Sequence, residues 1–454
     1  MIHKFPSLFS DGFIVLDVNS GSVHMVDRVA GGILDAWDGS DGFDVSLSGL
    51  PYAPDALSEA FAELKELRDG GLLFSPEPGA GQETVNKPVT KPVIKALCLL
   101  VAQGCNLNCA YCFAEGDYGE SAMMSPETCR KAVDFLVESS EGRRSLEIDF
   151  FGGEPLLNMP AVKATVEYAR SLEASHNKRF RFTLTTNGLL LDDEITAYLN
   201  DNMQNVVLSL DGRRAVNDRA RGEGAYDMIA PNIIKFAKAR AAHPVNNTMY
   251  VRGTFTRWNP DFSEDALHLA GLGFKDVSVE PVVAPEGADY ALRESDLPLI
   301  VKEYERLAQA VFDRRGTAEA FNFFHFMIDL ETGPCYYKRI SGCGAGTQYA
   351  AVTADGRLYP CHQFASFSDK DKFLMGDVWK GITNYSVMDK LADTTLESKP
   401  DCKECFAKYH CGGGCAANAY AFSGDVLGAY KLGCDMERKR VELAIMLKTK
   451  EEAS

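Results

Sequence analysis

The chain has 454 residues, of which 46% are hydrophobic and 24% charged, a composition typical of a folded soluble protein with more than one core. The formal net charge of −17 argues against nucleic acid or an anionic membrane as the main partner. The N-terminal residues lack a signal-peptide pattern, and no run approaches the ~20 apolar residues of a membrane span, so a cytoplasmic location is expected.

The first 75 residues predict a small α+β unit. FIVLDV and SVHMV are strand-like and are joined by the turn NSG. Helices are predicted in DRVAGGILDAW and DALSEAFAELKELRDGG, and the following LLF is expected to pair back as another strand. Residues 76–93 are rich in Pro, Gly and polar side chains and predict a linker.

Residues 94–315 alternate strands and helices. The predicted strands span 96–102, 145–151, 180–186, 205–210, 247–256 and 276–282. The predicted helices span 126–139, 159–173, 192–200, 227–240, 263–271 and 295–314. Repeated βα units predict an α/β fold whose parallel sheet curves or closes as a barrel.

Four successive predicted strands end in polar or Gly-rich segments. CNLNCAYCF follows the first strand and FFGGEP follows the second, while TTNG and SLDG follow the third and fourth. Chemistry in a parallel α/β sheet lies at the C-terminal ends of the strands. These four segments are therefore expected to lie close together.

The cysteines are unevenly distributed. None of the 13 lies in residues 1–97, and eight lie between 335 and 434. Because a reducing compartment disfavours disulfides, this pattern indicates metal binding or redox chemistry. Cys98, in a predicted strand, and Cys129, in a predicted helix, are expected to be ordinary core residues.

Cys105, Cys109 and Cys112 bring three thiols onto one short segment after the first barrel strand. They could ligate three irons of a [4Fe–4S] cube and leave the fourth iron for a substrate or cofactor. The alternative is a zinc site that is completed by a distant His or Cys.

Residues 330–440 are loop-rich and Cys-dense, with little apolar periodicity, and are expected to fold around metal rather than around a core. The eight thiols could form two sets of four, and two zinc ribbons are the alternative to clusters. Gly412, Gly413 and Gly414 are suited to a tight approach of the backbone to a bulky group.

The triplet CxxxCxxC, with Tyr111 before its last Cys and GGEP after the second strand, resembles the radical S-adenosylmethionine superfamily. The resemblance implies a partial (β/α)6 barrel over 94–315. It also implies a [4Fe–4S] cluster on the three cysteines, whose open iron binds S-adenosylmethionine. The implied cofactor contacts are Gly152, Gly153, Glu154, Thr185, Asn187, Ser209 and Arg221, with Glu154 in the turn that receives the methionyl amino group and Arg221 as a carboxylate partner.

The C-terminal cysteines resemble the SPASM extension, here residues 316–454, which implies two further [4Fe–4S] clusters and three in all. The implied distal ligands are Cys402, Cys405, Cys411 and Cys434. The implied proximal ligands are Cys343, Cys361 and Cys415, with Cys335 as the fourth.

Residues 1–75 resemble the winged-helix-like leader-recognition unit of enzymes that modify ribosomally made peptides. Together with GPCYYKRISGCGAG and YPCHQF, they resemble the maturases of SCIFF peptides ("six cysteines in forty-five"). The implied activity joins Cys thiols to acceptor carbons of a Cys-rich precursor peptide, and a flavodoxin- or ferredoxin-type protein supplies electrons.

Four alternatives stay open at this point. Two are enzymes: a SPASM maturase that forms C–C crosslinks or epimerises residues, and an oxidase like the sulfatase maturases. The other two are a multi-cluster electron carrier and a zinc-ribbon binding module. Arg252, Glu280 and His362 could act in proton transfer, or as structural or substrate-contact residues.

Overall fold

The computed structural model describes residues 1–77, 93–113, 122–245, 247–285, 287–330 and 341–452. No helix among these residues is long and apolar enough to cross a membrane.

The N-terminal unit is a three-stranded antiparallel sheet backed by two helices. Its elements are β1 (Ile2–Pro6), β2 (Phe13–Asp17), β3 (Val23–Val26), α1 (Arg28–Ala36) and α2 (Pro54–Asp69). The sheet order is β1-β2-β3, so β1 and β3 are its edge strands.

The prediction of a strand at Leu72–Phe74 is wrong. The structure places β1 beside β2, and the segment around Leu73 forms bends. Leu73 is 1% exposed and packs in the small core with Ile33 and Trp37. Its apolar character therefore reflects contact with the helices and not strand pairing.

Among the described residues, the barrel region contains seven neighbouring strands that run parallel. They are β4 (Ala96–Ala102), β5 (Ser145–Gly152), β6 (Arg179–Thr186), β7 (Asn205–Ser209), β8 (Thr248–Phe255), β9 (Asp276–Pro281) and β10 (Asn322–Phe323). The helices between and after them are α3 (Pro126–Ser139), α4 (Met159–His176), α5 (Asp193–Asn202), α6 (Arg214–Arg221), α7 (Ala225–Ala241), α8 (Phe262–Gly271) and α9 (Leu297–Asp313). The six predicted strands and six predicted helices of this region are confirmed, whereas α6 was not predicted.

The sheet continues beyond the barrel on the side of β4. β11 (Tyr349–Val352) pairs with β4 in parallel, followed by the antiparallel strands β12 (Arg357–Tyr359), β13 (Gly376–Asp377) and β14 (Gly381–Ile382). Among the described residues the order runs from β10 to β14 without closing, so the sheet is an open, mixed α/β arrangement.

The C-terminal segment has a hydrophobic core, contrary to the expectation that it folds around metal alone. Its helices are α10 (Tyr385–Ala392), α11 (Pro400–Lys403), α12 (Lys408–Cys411), α13 (Ala416–Ser423) and α14 (Lys431–Glu452). Tyr359 and Phe364 are fully buried and belong to the same apolar cluster as the buried residues of the barrel strands. The elements before α14 are too short to show a clear hydrophobic period, which explains the wrong expectation.

The two faces of β8 show which side of the sheet is open. Val251 and Phe255 are fully buried, and the Phe255 ring stacks on Phe262 of α8 at 4.2 Å. Arg252 lies between them in sequence, and its side chain is 46% exposed. Because side chains alternate along a strand, Arg252 lies on the face opposite to that of Val251 and Phe255. We call the space over this face of β4–β9 the chamber.

Candidate functional site

The thiol loop, residues 105–112, begins just after β4. The Cys105 thiol is exposed, whereas Cys109 and Cys112 are partly buried. Burial raises the pKa of Cys109 to about 11, and the neighbouring Cys112 and Cys105 add to the rise, so the three thiols lie near one another. A hydrogen bond of 2.8 Å from Ala110 N to Ala220 O fastens the loop to α6.

The GGEP turn after β5 is tied to the backbone that leads into the thiol loop. Gly153 N donates to Ala102 O at 2.7 Å, and Glu154 N donates to Gly104 O at 3.0 Å. A Cβ on Gly153 would lie 2.2 Å from Gly104 O, so a larger residue would separate the two segments. Gly152 has φ +127°, a conformation that L-residues rarely adopt.

The Glu154 carboxylate joins the GGEP turn to the loop after β6. It is 1% exposed and accepts hydrogen bonds from Leu156 N at 3.0 Å and from Thr186 Oγ1 and Asn187 N at 2.8 Å each. Burial raises its pKa to about 7. Asn187 Nδ2 in turn donates to Asn106 Oδ1 at 2.8 Å. One network therefore connects three successive strand ends.

Asp211 is a buried centre of hydrogen bonds at the end of β7. Its carboxylate is fully buried and accepts from Arg221 Nε at 2.9 Å and Nη2 at 2.8 Å. The Tyr111 hydroxyl lies 2.8 and 2.7 Å from its two oxygens, and Thr254 N donates at 3.0 Å. Asp211 thus positions both Tyr111 of the thiol loop and the guanidinium of Arg221.

Two of these residues were missed by the sequence analysis. The SLDG segment was placed at a strand end without a role for Asp211, whereas Asp211 is central to the site. Thr185 was named as a cofactor contact, whereas the hydroxyl bonded to Glu154 belongs to Thr186. Ser209 is partly exposed at the end of β7 and lies opposite Arg252 of β8.

The C-terminal thiols fall into two sets. Burial raises the pKa of Cys361 to about 12, and the nearby Cys415 and Cys343 add to the rise; these three form the proximal thiol set. Burial also raises the pKa of Cys411 to about 12, with contributions from Cys434 and Cys402. The distal thiol set consists of Cys402, Cys405, Cys411 and Cys434, since Cys405 interacts with Cys402 and Cys434. Cys335 lies outside the described residues.

A buried ammonium lies between the two sets. Lys399 is 3% exposed and donates from Nζ to Gly413 O at 2.7 Å. Burial raises the pKa of both Cys402 and Cys415, and the Lys399 charge opposes the rise in each. Gly413 lies in a turn of three glycines that have φ of +73°, +88° and +72°, which explains why glycine occupies it.

The proximal thiol set faces the chamber. His362 follows Cys361, and its ring lies 4.8 Å from Phe151 and 5.5 Å from Phe113. Phe151 precedes the GGEP turn, and Phe113 follows the last Cys of the thiol loop. Burial lowers the pKa of His362 to about 4, and the Arg252 charge contributes. The thiol loop and the proximal set therefore flank one space.

The residues at the thiol loop fit an iron–sulfur cluster. Three thiols on one loop supply three soft ligands, and the glycine turn lets the backbone come close beside them. Among the residues that the structure describes, no three His, Cys, Asp or Glu side chains converge as ligands of a single ion. A cluster accepts its ligands at separate irons and does not need such convergence.

Comparison with known proteins agrees with this arrangement. Residues 99–262 match the family model of the Radical SAM superfamily. The chain is 23% identical to the radical SAM cyclopropyl synthase TigE of Paramaledivibacter caminithermalis, over 78% of this chain and 74% of that protein. It is 28% identical to the AdoMet-dependent heme synthase of Methanosarcina barkeri, over 71% of this chain and 91% of that protein.

Solved structures share the fold. Native anSMEcpe with bound AdoMet and the Kp18Cys peptide superposes with a TM-score of 0.63 at 19% identity, over 80% of this chain and 100% of that chain. Streptococcus suis SuiB bound to S-adenosylmethionine superposes with a TM-score of 0.53 at 15% identity, over 93% and 96% of the two chains. Residues 99–262 are therefore similar to the Radical SAM superfamily model, and they lie in a mixed α/β fold with a large parallel sheet.

Proposed function

We propose that the protein is a radical S-adenosylmethionine maturase that forms thioether crosslinks between Cys thiols and acceptor carbons of a ribosomally made, Cys-rich peptide. The observation that carries the proposal is the shared space between the thiol loop and the proximal thiol set, with His362 packed against Phe113 and Phe151. Forming a C–S bond requires a site that activates carbon next to a site that holds a thiol.

The thiol loop would hold the first [4Fe–4S] cluster through Cys105, Cys109 and Cys112. When bound, the cluster and S-adenosylmethionine supply one-electron reduction and abstraction of a hydrogen atom from the peptide. The chain would hold and orient the cofactor through the residues named from the resemblance: Gly152, Gly153, Glu154, Thr185, Asn187, Ser209 and Arg221. The hydrogen bonds of Glu154 and Asp211 support this role, because they keep the strand ends at fixed distances.

Two auxiliary [4Fe–4S] clusters would occupy the proximal and distal thiol sets. The distal set has four thiols, a complete ligand set, which suits electron transfer. The proximal set has three described members, and its fourth iron would be held either by Cys335 or, in exchange for Cys335, by the thiol of a substrate Cys. A metal-bound thiol is deprotonated and fixed in place, so a substrate Cys at the proximal set would have released its proton before C–S bond formation, and the one surplus electron of that step would pass to the auxiliary clusters.

The N-terminal unit would recognise the leader of the precursor peptide. Its three-stranded sheet has edge strands, to which an extended peptide can add by main-chain hydrogen bonds. SuiB, which shares the fold, has been solved bound to its precursor peptide SuiA. A flavodoxin- or ferredoxin-type protein would supply the electrons.

The test is to incubate reduced, anaerobically purified enzyme with S-adenosylmethionine and a leader-bearing Cys-rich peptide, and to follow the peptide mass. Each thioether removes two hydrogens and one alkylatable thiol. A C–C crosslink removes two hydrogens and leaves every thiol alkylatable, and epimerisation leaves the mass unchanged. The Cys105→Ala variant is the control. Loss of hydrogens without loss of thiols would contradict thioether formation.

A further inference from the structure

Arg252 is a cation on the open face of the barrel. It lies on β8, opposite Ser209 of β7 and Ser278 of β9. Val251 and Phe255 face the helices and are fully buried, whereas the Arg252 side chain is 46% exposed. Its exposed surface therefore belongs to the chamber.

The guanidinium of Arg252 has unused donors. Its nearest carboxylate is Glu280, at 3.6 Å from Nη2 to Oε1, which is too long for a hydrogen bond. The oxygens of Glu280 already have closer partners, Ser278 Oγ at 2.7 Å and His325 Nε2 at 3.0 Å. Within the described part of the chain, Arg252 donates no side-chain hydrogen bond. Its donors are therefore available to a ligand.

Arg252 differs in this respect from Arg221. Arg221 is 8% exposed, is doubly bonded to Asp211, and lies near Cys109 of the thiol loop. Arg252 lies on β8, three strands away from β5 with its GGEP turn, and its partner across the neighbouring strand is Ser209 of β7. The Arg252 guanidinium therefore lies apart from the turn that is assigned to the amino group of the cofactor.

We propose that Arg252 binds a carboxylate of the peptide, so that the segment held in the chamber carries an Asp or Glu side chain. This inference rests on the proposed function and narrows its substrate class. A guanidinium can bind a carboxylate through two parallel hydrogen bonds, which fixes orientation as well as position. An acidic side chain clamped in this way would set which carbon of the peptide lies between the thiol loop and the proximal set.

The test is a double-mutant cycle on the full-length holoenzyme. One partner is Arg252→Gln, and the other is a peptide in which each Asp or Glu is changed in turn to Asn or Gln. For one acidic position of the peptide, Arg252→Gln alone and the peptide substitution alone should each lower kcat/KM about 10- to 100-fold, the size expected for a charge-assisted hydrogen bond. The two changes together should lower it no further than one alone. Arg252→Lys should keep part of the activity.

Arg257→Gln is the matched control, because Arg257 lies just beyond β8 and points to Asp296 at 3.4 Å. Its kcat/KM should stay within about two-fold of the wild type. Equal losses on acidic and amidated peptides at every position would overturn the inference. A higher KM for S-adenosylmethionine with all peptides would also overturn it, since the carboxylate would then be the cofactor's. A wild-type enzyme that modifies no peptide would instead contradict the proposed function.

Discussion

At the scale of single residues, buried charge sets the geometry beside the thiol loop. Asp211 and Arg221 lie under the loop at 0% and 8% side-chain exposure, and Tyr111 donates to the same carboxylate. Neither charged side chain can be hydrated there, so each needs the other as its counter-ion. The pair is therefore a rigid support for the loop as well as a local source of charge.

We expect Asp211→Asn to destabilise the protein by about 3–5 kcal/mol, because it leaves the Arg221 charge buried without a counter-ion. Denaturant unfolding of the holoenzyme measures the change. Glu194→Gln is the control: its partner Lys163 is 3.0 Å away, but the two side chains are 81% and 44% exposed. That variant should change stability by less than about 0.5 kcal/mol. An Asp211→Asn protein as stable as the control would show that the pair is not a support.

Asp149, on β5, should make stability depend on pH. Burial raises its pKa from 3.8 to about 6, with repulsion from Glu147 adding to the rise. The folded protein then binds a proton that the unfolded chain releases, so stability falls as pH rises between about 4 and 6. Asp149→Asn should remove this loss and be more stable than the wild type by about 1–3 kcal/mol at pH 7. Urea unfolding at pH 5 and pH 7 checks this: the advantage of the variant should be larger at pH 7.

Residue-level contacts were the part least accessible from the sequence. The cysteines and the GGEP turn can be located because each has a distinctive pattern at a strand end. The roles of Asp211 and Thr186 depend on which side chains face each other across neighbouring strands. That register comes from the whole sheet, and a one-residue error moves a side chain to the opposite face.

At the scale of elements, the barrel strands were accessible because each of them buries at least one face. β4 is buried throughout and is a continuous apolar run, ALCLLVA, whereas β5 and β6 alternate buried and more exposed residues. α6 has no comparable signal: RAVNDRAR is mostly polar and short. Its position follows from the ion pair of Arg221 with Asp211 and from the contact of Ala220 with the thiol loop.

The edge strand β3 offers a test of leader recognition. Met25 of β3 is 49% exposed although it is a large apolar side chain. If the leader adds to this edge, it should cover Met25, so Met25→Lys should weaken leader binding about 10-fold or more. Leu47→Lys is the control, since Leu47 is 82% exposed in the same unit and lies off the sheet. Fluorescence anisotropy with a labelled leader measures both. Equal effects of the two variants, or none, would contradict binding at β3.

At the scale of the whole molecule, three thiol groups are distributed over two regions of one continuous fold. Anaerobically purified protein should hold about twelve irons per chain if each group carries a cube. Replacing Cys105, Cys109 and Cys112 together by Ala should leave about eight irons and abolish cleavage of S-adenosylmethionine. Iron analysis and detection of 5′-deoxyadenosine by chromatography measure the two outcomes. Continued formation of deoxyadenosine would show that the thiol loop is not the radical site.

Lys399 should influence both auxiliary groups at once, because it lies between Cys402 of the distal set and Cys415 of the proximal set. A buried cation favours the reduced, more negative form of a cluster. Lys399→Met should therefore lower both auxiliary reduction potentials and leave that of the thiol loop unchanged. Redox titration followed by electron paramagnetic resonance separates the three signals. A shift confined to one auxiliary signal would show that the Lys399 charge acts on only one of the two thiol sets.

The pairing of β4 with β11 has a consequence for biosynthesis. β4 carries the thiol loop, yet its neighbour Tyr349–Val352 is translated after every strand of the barrel, and His3 meets its partner Glu442 across 439 residues. A nascent chain would thus expose the edge of β4 beside reactive thiols for most of its translation, and contacts of such long range slow folding. Iron and sulfide would have to reach the loop after the chain has left the ribosome, or the nascent thiols would have to be protected until then. We therefore expect the yield of intact enzyme to depend on the supply of cluster-assembly and chaperone proteins during expression.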